Sequence, residues 1–157
     1  MEITIKKIGI ESLNLLMDWR KKVLSEVFMF NDIEKHSELI LNNENYYKKH
    51  LTDGTHTAYF AINDDTNEII GCGGICYQEE MPSPDNMTGK NGYLMNIYIE
   101  PKYRKCGAGK KIIESLILDA KEHNASKIYL ESSDIAKKLY EEIGFVDMAN
   151  YMKFEGV

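Results

Sequence analysis

Arg104-Lys105-Cys106-Gly107-Ala108-Gly109 separates a nearly unbroken apolar stretch, residues 93–99, from a segment whose apolar residues have helical spacing. Residues 102–111 contain five lysines and arginines and no acid, although the chain carries a formal net charge of −6. Lys110 and Lys111 fall in the predicted first helical turn, where each cation opposes the helix dipole at a cost of roughly 0.3–1 kcal/mol. With the two glycines, this charge pattern predicts a loop that binds an anion at the helix N-terminus.

The spacing of the glycines excludes two common nucleotide-binding loops. A P-loop needs Gly where this chain has Arg104, and Ser or Thr where it has Lys111, so the magnesium ligand is missing. A dinucleotide-binding fingerprint needs a third glycine where the chain has Ile112. Neither motif therefore accounts for the spacing of Gly107 and Gly109.

The loop instead resembles the coenzyme A pyrophosphate loop of the GNAT superfamily of N-acetyltransferases, whose pattern is R/Q-x-x-G-x-G/A. The preceding segment, Asn96-Ile97-Tyr98-Ile99-Glu100-Pro101, looks like the strand that leads into that loop in the family. Residues 136–145 resemble the family's last helix and its closing Gly-Phe, and Gly71 matches a further recurring position. The resemblance covers about residues 57–154. One departure is Ser133, where family members often carry Asn.

The resemblance implies that acetyl-CoA is the co-substrate, bound between two splayed strands, and that no metal takes part. Backbone groups of Ile97 and Ile99 would hydrogen-bond the pantetheine, and Tyr140 would protonate the departing thiolate as the general acid. Glycine lets successive backbone N–H groups approach a pyrophosphate closely. The full set of implied coenzyme-binding residues is Ile97, Tyr98, Ile99, Arg104, Lys105, Cys106, Gly107, Ala108, Gly109, Lys110 and Ser133.

Hydrophobic periodicity divides the chain into alternating strands and helices. Residues 11–27 carry Arg20 among apolar residues at helical spacing. The strand–helix–strand order at 93–130 implies a parallel pair joined by a crossover helix. Residues 1–157 are thus expected to form a single α+β domain with a mixed sheet. The resemblance implies a GNAT-like sheet that is mostly antiparallel and six- or seven-stranded, with about four flanking helices and a central parallel strand pair splayed to hold coenzyme A. The predicted strands are 3–8, 57–62, 68–77, 93–99, 127–130 and one or two within 145–154, and the predicted helices are 11–27, 32–51, 110–124 and 134–143.

Composition limits the functions that this chain can have. Its 43% hydrophobic and 28% charged residues are ordinary for a globular protein. The net acidity argues against nucleic acid as a partner, because phosphate binding needs a large basic face. No segment approaches the ~20 apolar residues of a membrane span, and no signal peptide is apparent, which predicts a cytoplasmic protein. Three cysteines without zinc-like spacing are expected to be free thiols.

These observations predict an acetyl-CoA-dependent N-acetyltransferase whose acceptor is a small cationic metabolite or amino compound. Segments 11–51 and 78–92 are implied to choose the acceptor, and their tyrosines and acids suit an amino acid, a polyamine or an amino sugar. The sequence leaves open a protein amine as acceptor, a non-catalytic domain that binds or senses acyl-CoA, and a homodimer. It does not single out a general base among the candidate acids, which are Glu26, Glu79, Glu80, Glu131 and Asp134.

Overall fold

A single mixed sheet runs through the computed structural model, which describes residues 1–157. Its strands are β1 (Ile3–Ile8), β2 (His56–Asn63), β3 (Glu68–Glu79), β4 (Lys90–Ile99) and β5 (Lys127–Leu130), and they lie side by side in that order. Strands β1 to β4 pair antiparallel, whereas β4 and β5 are parallel. The predicted mixed, mostly antiparallel sheet with one parallel pair is therefore confirmed. That pair lies at the edge of the sheet rather than at its centre, because no further strand pairs with β5.

Four helices cover both faces of this sheet. They are α1 (Leu13–Val27), α2 (Ser37–Asp53), α3 (Ala108–Glu122) and α4 (Asp134–Ile143). Helices α1 and α2 pack on one face in a core that includes Trp19, Phe60 and Tyr98. Helices α3 and α4 contribute to a second core on the opposite face, around Ile75, Ile112 and Leu116. None of these helices combines the length and the apolar character that a membrane crossing requires.

Helix α3 packs closely on β3 because Gly73 of that strand has no side chain beneath the helix. A Cβ atom added to Gly73 would lie 2.4 Å from Cγ2 of Ile112, so the helix could not keep its place over a larger residue. Ile112, Ile113 and Leu116 are fully buried in this contact. Each such side chain contributes roughly 1.5–3 kcal/mol to folding. The packing fixes the N-terminal end of α3 next to the C-terminal end of β4.

Asp119 also holds α3 against the sheet. Its buried carboxylate accepts hydrogen bonds from the hydroxyls of Tyr59, at 3.0 Å, and Tyr77, and it pairs with Lys7 at 3.3 Å. Burial alone would raise the pKa of Asp119, but these donors outweigh it and lower the pKa below its usual value. The carboxylate therefore stays ionised and links α3 to β1, β2 and β3.

The predicted number of strands is wrong: the sheet has five strands rather than six or seven. Residues 145–157 form no strand, although the segment is rich in apolar and aromatic residues. Val146 and Met152 are 84% and 98% exposed, so these residues do not form a buried apolar face. A strand needs a hydrogen-bonding partner as well as a pattern, and this segment has none within the chain.

Two element boundaries also differ from the prediction. A short 3-10 helix, Ile33–Lys35, precedes α2, which begins at Ser37 and continues through Asn42 and Asn43 without a break. Strands β3 and β4 extend into the predicted loop at 78–92 and shorten it to residues 80–89. The remaining loop is closed by backbone hydrogen bonds, one of them from Glu80 N–H to the Gly89 carbonyl at 2.7 Å.

Candidate active site

Strands β4 and β5 separate halfway along β4. Leu94 and Leu130 are their last register partners, and β5 ends there while β4 continues to Ile99. Glu100 N–H bonds the Ile70 carbonyl in β3, so by strand alternation the backbone groups of Ile99 and Ile97 point away from β3. They face the side on which β4 has no partner. The structure thus provides the free strand edge that the resemblance implies.

A bulge in β4 marks the start of this free edge. Cys72 pairs with Tyr98 and Gly74 with Met95, so Gly73 is opposed by two residues, Asn96 and Ile97. Asn96 has a φ of 57°, in the left-handed region that Asn adopts more readily than most residues. Bulges often lie beside active sites, where they redirect backbone groups. Here the bulge sets the direction of the Ile97 N–H.

The loop before α3 presents a row of unpaired backbone donors. The N–H groups of six consecutive residues, from Lys105 to Lys110, have no acceptor within the protein. Lys105 at φ 64° and Gly107 at φ 89° flank Cys106, whose φ is negative, and this alternation in sign bends the N–H groups toward a common side. No acid lies in the first turn of α3, and no side chain caps it. The arrangement suits an anion such as a pyrophosphate.

Side chains of this loop are mostly engaged with the chain itself. Arg104 Nε donates to the Ile99 carbonyl at 3.1 Å, and the guanidinium lies 5.8 Å from the Tyr98 ring centre. Cys106 is exposed, and its thiol donates to the Tyr103 carbonyl at 2.7 Å. Lys110 pairs with Glu114 within α3, at 3.9 Å. The backbone, rather than these side chains, supplies the free donors. Ala108 and Gly109 open the helix, and a Cβ atom at Gly109 would meet only ordinary van der Waals contacts.

Tyr140 lies on α4 with its hydroxyl free. The residue is 9% exposed and packs edge-on against Phe145, and its hydroxyl makes no hydrogen bond within the protein. Burial raises the pKa of Tyr140 above its usual value of 10.0, so the phenol keeps its proton at neutral pH. It lines a cleft of about 850 Å³ between β5 and α4. A buried, protonated and unpartnered hydroxyl is suited to donate a proton to a ligand.

Ser133 has a structural task in the chain. Its hydroxyl accepts a hydrogen bond from Ala136 N–H at 3.3 Å and so caps the N-terminus of α4, the helix that carries Tyr140. A cap of this kind contributes about 1 kcal/mol. The contact between Ser133 and the pantetheine stays a prediction.

On the α1/α2 face, four residues form a row across the sheet at the level where β4 and β5 part. His56, Cys76, Tyr93 and Tyr129 are successive register partners in β2, β3, β4 and β5. The rings of Tyr93 and Tyr129 lie 5.0 Å apart. Burial, with a smaller contribution from the charge of Glu131, raises the pKa of Tyr93. This row is the base of the surface from which an acceptor would approach.

His56 is the most deeply buried titratable group in that row. It is 4% exposed, its Nδ1 lies 2.8 Å from the Tyr46 hydroxyl, and its Nε2 has no partner. A Cβ atom at Gly74 would lie 2.7 Å from Nε2, so the glycine makes room for the ring. Burial lowers the pKa of His56 to about 4, and the imidazole is neutral at pH 7.

Arg20 brings a positive charge to the bulge from α1. Its Nε donates to Asn43 Oδ1 at 2.8 Å and its Nη1 to Asn96 Oδ1 at 3.0 Å. Sequence analysis did not identify Arg20, Asn43, Asn96 or His56 as functional residues. The one available signal was the position of Arg20 within the apolar stripe of α1, where a charged residue needs a special partner.

Two candidate bases are engaged with neighbouring side chains. Glu26 accepts a hydrogen bond from the Tyr98 hydroxyl, and Glu80 pairs with Lys127 at 3.7 Å. Glu131, by contrast, has no ion-pair or hydrogen-bond partner and follows directly after β5. Glu79 at the end of β3 and Asp134 at the start of α4 also have no side-chain partner, so the structure leaves three of the five candidate carboxylates free.

The sequence model of the acetyltransferase (GNAT) family matches residues 15–145. Among curated relatives, the ribosomal protein bS18-alanine N-acetyltransferase of Haemophilus influenzae is 44% identical over 54 residues, 33% of this chain and 37% of the relative. Thialysine N-epsilon-acetyltransferase of Sus scrofa is 36% identical over 77 residues, 44% of this chain and 45% of the relative. The matches thus span less than half the length of these two relatives.

One solved structure has the same fold as this protein over nearly the whole length of both chains. It is a predicted acetyltransferase with acetyl-CoA from Clostridium acetobutylicum, 27% identical, with a TM-score of 0.84 over 98% of this chain and 96% of that one. A putative acetyl transferase from Pyrococcus furiosus is 26% identical, with a TM-score of 0.72 over 98% and 99% of the two chains. The family model covers most of the chain, including the point where β4 and β5 separate, the loop at residues 104–109 and Tyr140. This protein therefore belongs to the GNAT family of acetyltransferases.

Proposed function

We propose that this protein transfers the acetyl group of acetyl-CoA to a primary amine, by direct attack within a ternary complex. The observation that carries the proposal is the presence of three features in the β4–α3–β5–α4 part of the chain. Six unpaired N–H groups suit the pyrophosphate, the free edge of β4 suits the pantetheine, and the unpartnered hydroxyl of Tyr140 suits the thiolate. A simple anion site would need only the first of these features.

The reaction forms a bond between the amine nitrogen and the acetyl carbon and breaks the bond between that carbon and sulfur. The Ile97 N–H, directed by the bulge, would polarise the thioester carbonyl as negative charge develops on its oxygen. The sulfur leaves as a thiolate and takes a proton from Tyr140. The amine loses its extra proton to a carboxylate or to water, and Glu131, which directly follows β5 and has no side-chain partner, is our candidate carboxylate.

The acceptor is proposed to be a small cationic metabolite or amino compound. Curated relatives are named for amine acceptors of different kinds, including thialysine and glucosamine 6-phosphate. The relative named for an alanine of ribosomal protein bS18 makes a protein amine the second candidate.

Release of free thiol from acetyl-CoA tests the proposal, with a panel of amino acids, polyamines, amino sugars and peptides. Turnover with at least one amine supports it. A second arm compares thermal stabilisation by acetyl-CoA with stabilisation by ATP, because the loop lacks the P-loop residues that ATP requires. Stabilisation by acetyl-CoA without turnover on any amine would instead support a non-catalytic acyl-CoA-binding domain.

A further inference from the structure

Arg20 carries a positive charge that no carboxylate neutralises. Its only hydrogen-bond partners are the side-chain oxygens of two neutral amides, Asn43 on α2 and Asn96 on β4. No Asp or Glu oxygen lies within 4.0 Å of the guanidinium, whereas many of the surface lysines have such a partner. Charged side chains that leave water are ordinarily paired with an opposite charge. Arg20 is therefore an exception that asks for a physical explanation.

The groups around Arg20 do not supply the missing negative charge. Burial lowers the pKa of Arg20 itself, although a guanidinium remains protonated at neutral pH. Burial raises the pKa of the neighbouring Cys72 thiol to about 12 and also raises the pKa of Tyr47, so both groups are neutral. The protein thus holds an uncompensated cation between α1, α2 and the sheet.

Part of the guanidinium is also free to bind. Arg20 has five N–H donors, of which the two described above are used. Its Nη2 has no partner, and it is not among the side-chain atoms sealed from solvent without a hydrogen bond. An oxyanion could therefore reach Nη2 and accept one or two further hydrogen bonds.

The position of this donor relates it to the reaction. Asn96, which holds Arg20, is the left-handed residue of the β4 bulge and directly precedes Ile97. Asn96 Nδ2 lies 3.4 Å from the Tyr47 hydroxyl, which keeps the amide on the α1/α2 face. The free guanidinium donors thus lie on the acceptor side of the sheet, within a small molecule's length of the proposed thioester position.

We propose that Arg20 binds an anionic group of the acceptor, a carboxylate or a phosphate, so that the substrate is an amine that also carries an acid. This inference rests on the proposed function and narrows it. A polyamine would bring further positive charge to an unpaired guanidinium and is disfavoured. An acid-bearing amine would neutralise Arg20 and at the same time hold its amino group beside the bulge.

Matched acceptor pairs test the inference, because each pair differs by the acid group alone or nearly so. The pairs are L-lysine and cadaverine, glucosamine 6-phosphate and glucosamine, and phosphoethanolamine and ethanolamine. The wild-type protein should have a higher kcat/KM for the acid-bearing member of at least one pair. A preference for L-lysine over cadaverine would indicate that a carboxylate is bound, and a preference within either of the other two pairs would indicate that a phosphate is bound. Equal or higher kcat/KM for the acid-free members throughout would overturn the inference and leave the acetyltransferase proposal intact.

Substitution of Arg20 links the preference to this residue. Arg20→Met should lower kcat/KM for the acid-bearing member by about tenfold or more, since charge-assisted hydrogen bonds are lost. Its effect on the acid-free member should be much smaller, so the ratio of the two kcat/KM values should fall, and acetyl-CoA affinity should change little. Arg20→Lys keeps the charge without the planar fork and should retain part of the preference. An equal loss for both members of a pair would show that Arg20 only supports the structure.

Asn43→Ala is the control for that structural role. It removes one of the two amides that hold Arg20 but keeps the guanidinium, so the preference for acid-bearing amines should persist. If no amine is acetylated, the proposed acetyl transfer is wrong, but binding of an acid by Arg20 can still be tested. L-lysine and phosphoethanolamine are then titrated by calorimetry into the acetyl-CoA-bound protein. Binding that Arg20→Met abolishes supports the inference, whereas absent or unchanged binding overturns it.

Discussion

Leu94 and Leu130 form the last register pair between β4 and β5, and beyond it β4 continues to Ile99 with one edge free. This separation places the backbone groups of Ile97 and Ile99 in line with the unpaired N–H groups that open α3. One strand therefore leads from the bulge to the anion loop. The proposed function depends on this geometry.

Tyr140→Phe should lower kcat by roughly 100-fold or more, the usual contribution of a general acid. Acetyl-CoA affinity should change little, because the ring packing against Phe145 is retained. Steady-state kinetics and calorimetry measure the two effects. Tyr59→Phe is the matched control, since it removes a hydroxyl that bonds Asp119 away from the strand split. Wild-type turnover in Tyr140→Phe would remove the phenol from the mechanism.

The pH dependence of turnover gives a second test of Tyr140. Because burial raises its pKa above 10.0, the phenol stays protonated through neutral and mildly alkaline pH. We therefore expect no loss of kcat from this group below pH 10. A decline below that pH in the wild type that is absent from Tyr140→Phe would contradict the raised pKa of Tyr140, although it would keep the phenol in the reaction.

Gly107→Ala should weaken acetyl-CoA binding about tenfold or more. The left-handed φ of 89° costs alanine roughly 1 kcal/mol, and relief of that strain would rotate the N–H groups out of their common direction. Gly54→Ala is a closely matched control, because Gly54 has a φ of 78° and, like Gly107, no atom within 4 Å of an added Cβ. It ends α2, far along the chain from the loop. Equal effects of both variants on acetyl-CoA affinity would show that the loop conformation does not matter.

The buried His56 should make the protein less stable in mild acid. Its pKa is lowered to about 4 in the folded state from 6.5, so the unfolded chain binds the proton more readily. The stability linked to this group is present above pH 6.5 and is lost as pH falls toward 4. The loss amounts to roughly 3 kcal/mol between pH 7 and pH 4.

Urea unfolding at several pH values measures this loss. His56→Gln should flatten the dependence between pH 6.5 and 4, even if the variant is less stable at pH 7. His36→Gln removes an exposed histidine and shows what the loss of any imidazole does. A slope that His56→Gln leaves unchanged would assign the acid sensitivity to other groups.

The homodimer implied by the resemblance also stays a prediction. The outer edge of β5 is unpaired, and Val146, Met152 and Phe154 in the following segment are at least 77% exposed. We expect a second copy to cover these residues, because exposed apolar residues that follow one another along a segment, unlike single scattered ones, mark an interaction surface. Sedimentation analysis at micromolar concentration should give a dimer that Met152→Asp with Phe154→Asp disrupts. A wild-type monomer would contradict the prediction.

Local sequence patterns predict most of the fold correctly where the pattern and the burial agree. The β4–α3–β5 unit is confirmed because residues 93–99 are nearly all apolar and the helix has a single apolar face. The segment 145–154 is also rich in apolar residues, but a strand requires a partner, and no local signal reports whether one exists. The same limit explains why its predicted strands are absent.

Local motifs likewise identify some residues of the candidate site and miss others. The donor loop and Tyr140 lie in contiguous motifs, so sequence analysis identifies them. The bulge at Asn96, the cluster of Arg20 with Asn43, and the buried pair of His56 and Tyr46 join residues that are distant in sequence. Contacts of this kind depend on how α1 and α2 pack on the sheet. They therefore appear only when the tertiary structure is known.

The central claim is that an acetyl group moves from acetyl-CoA to an amine. The most direct measurement is mass spectrometry of the amine panel after incubation with acetyl-CoA and either wild-type protein or Tyr140→Phe. The account predicts an amine that gains the mass of one acetyl group, in proportion to the free coenzyme A released, and much more slowly with the variant. Binding of acetyl-CoA with no acetylated amine, or equal product from both proteins, would contradict it.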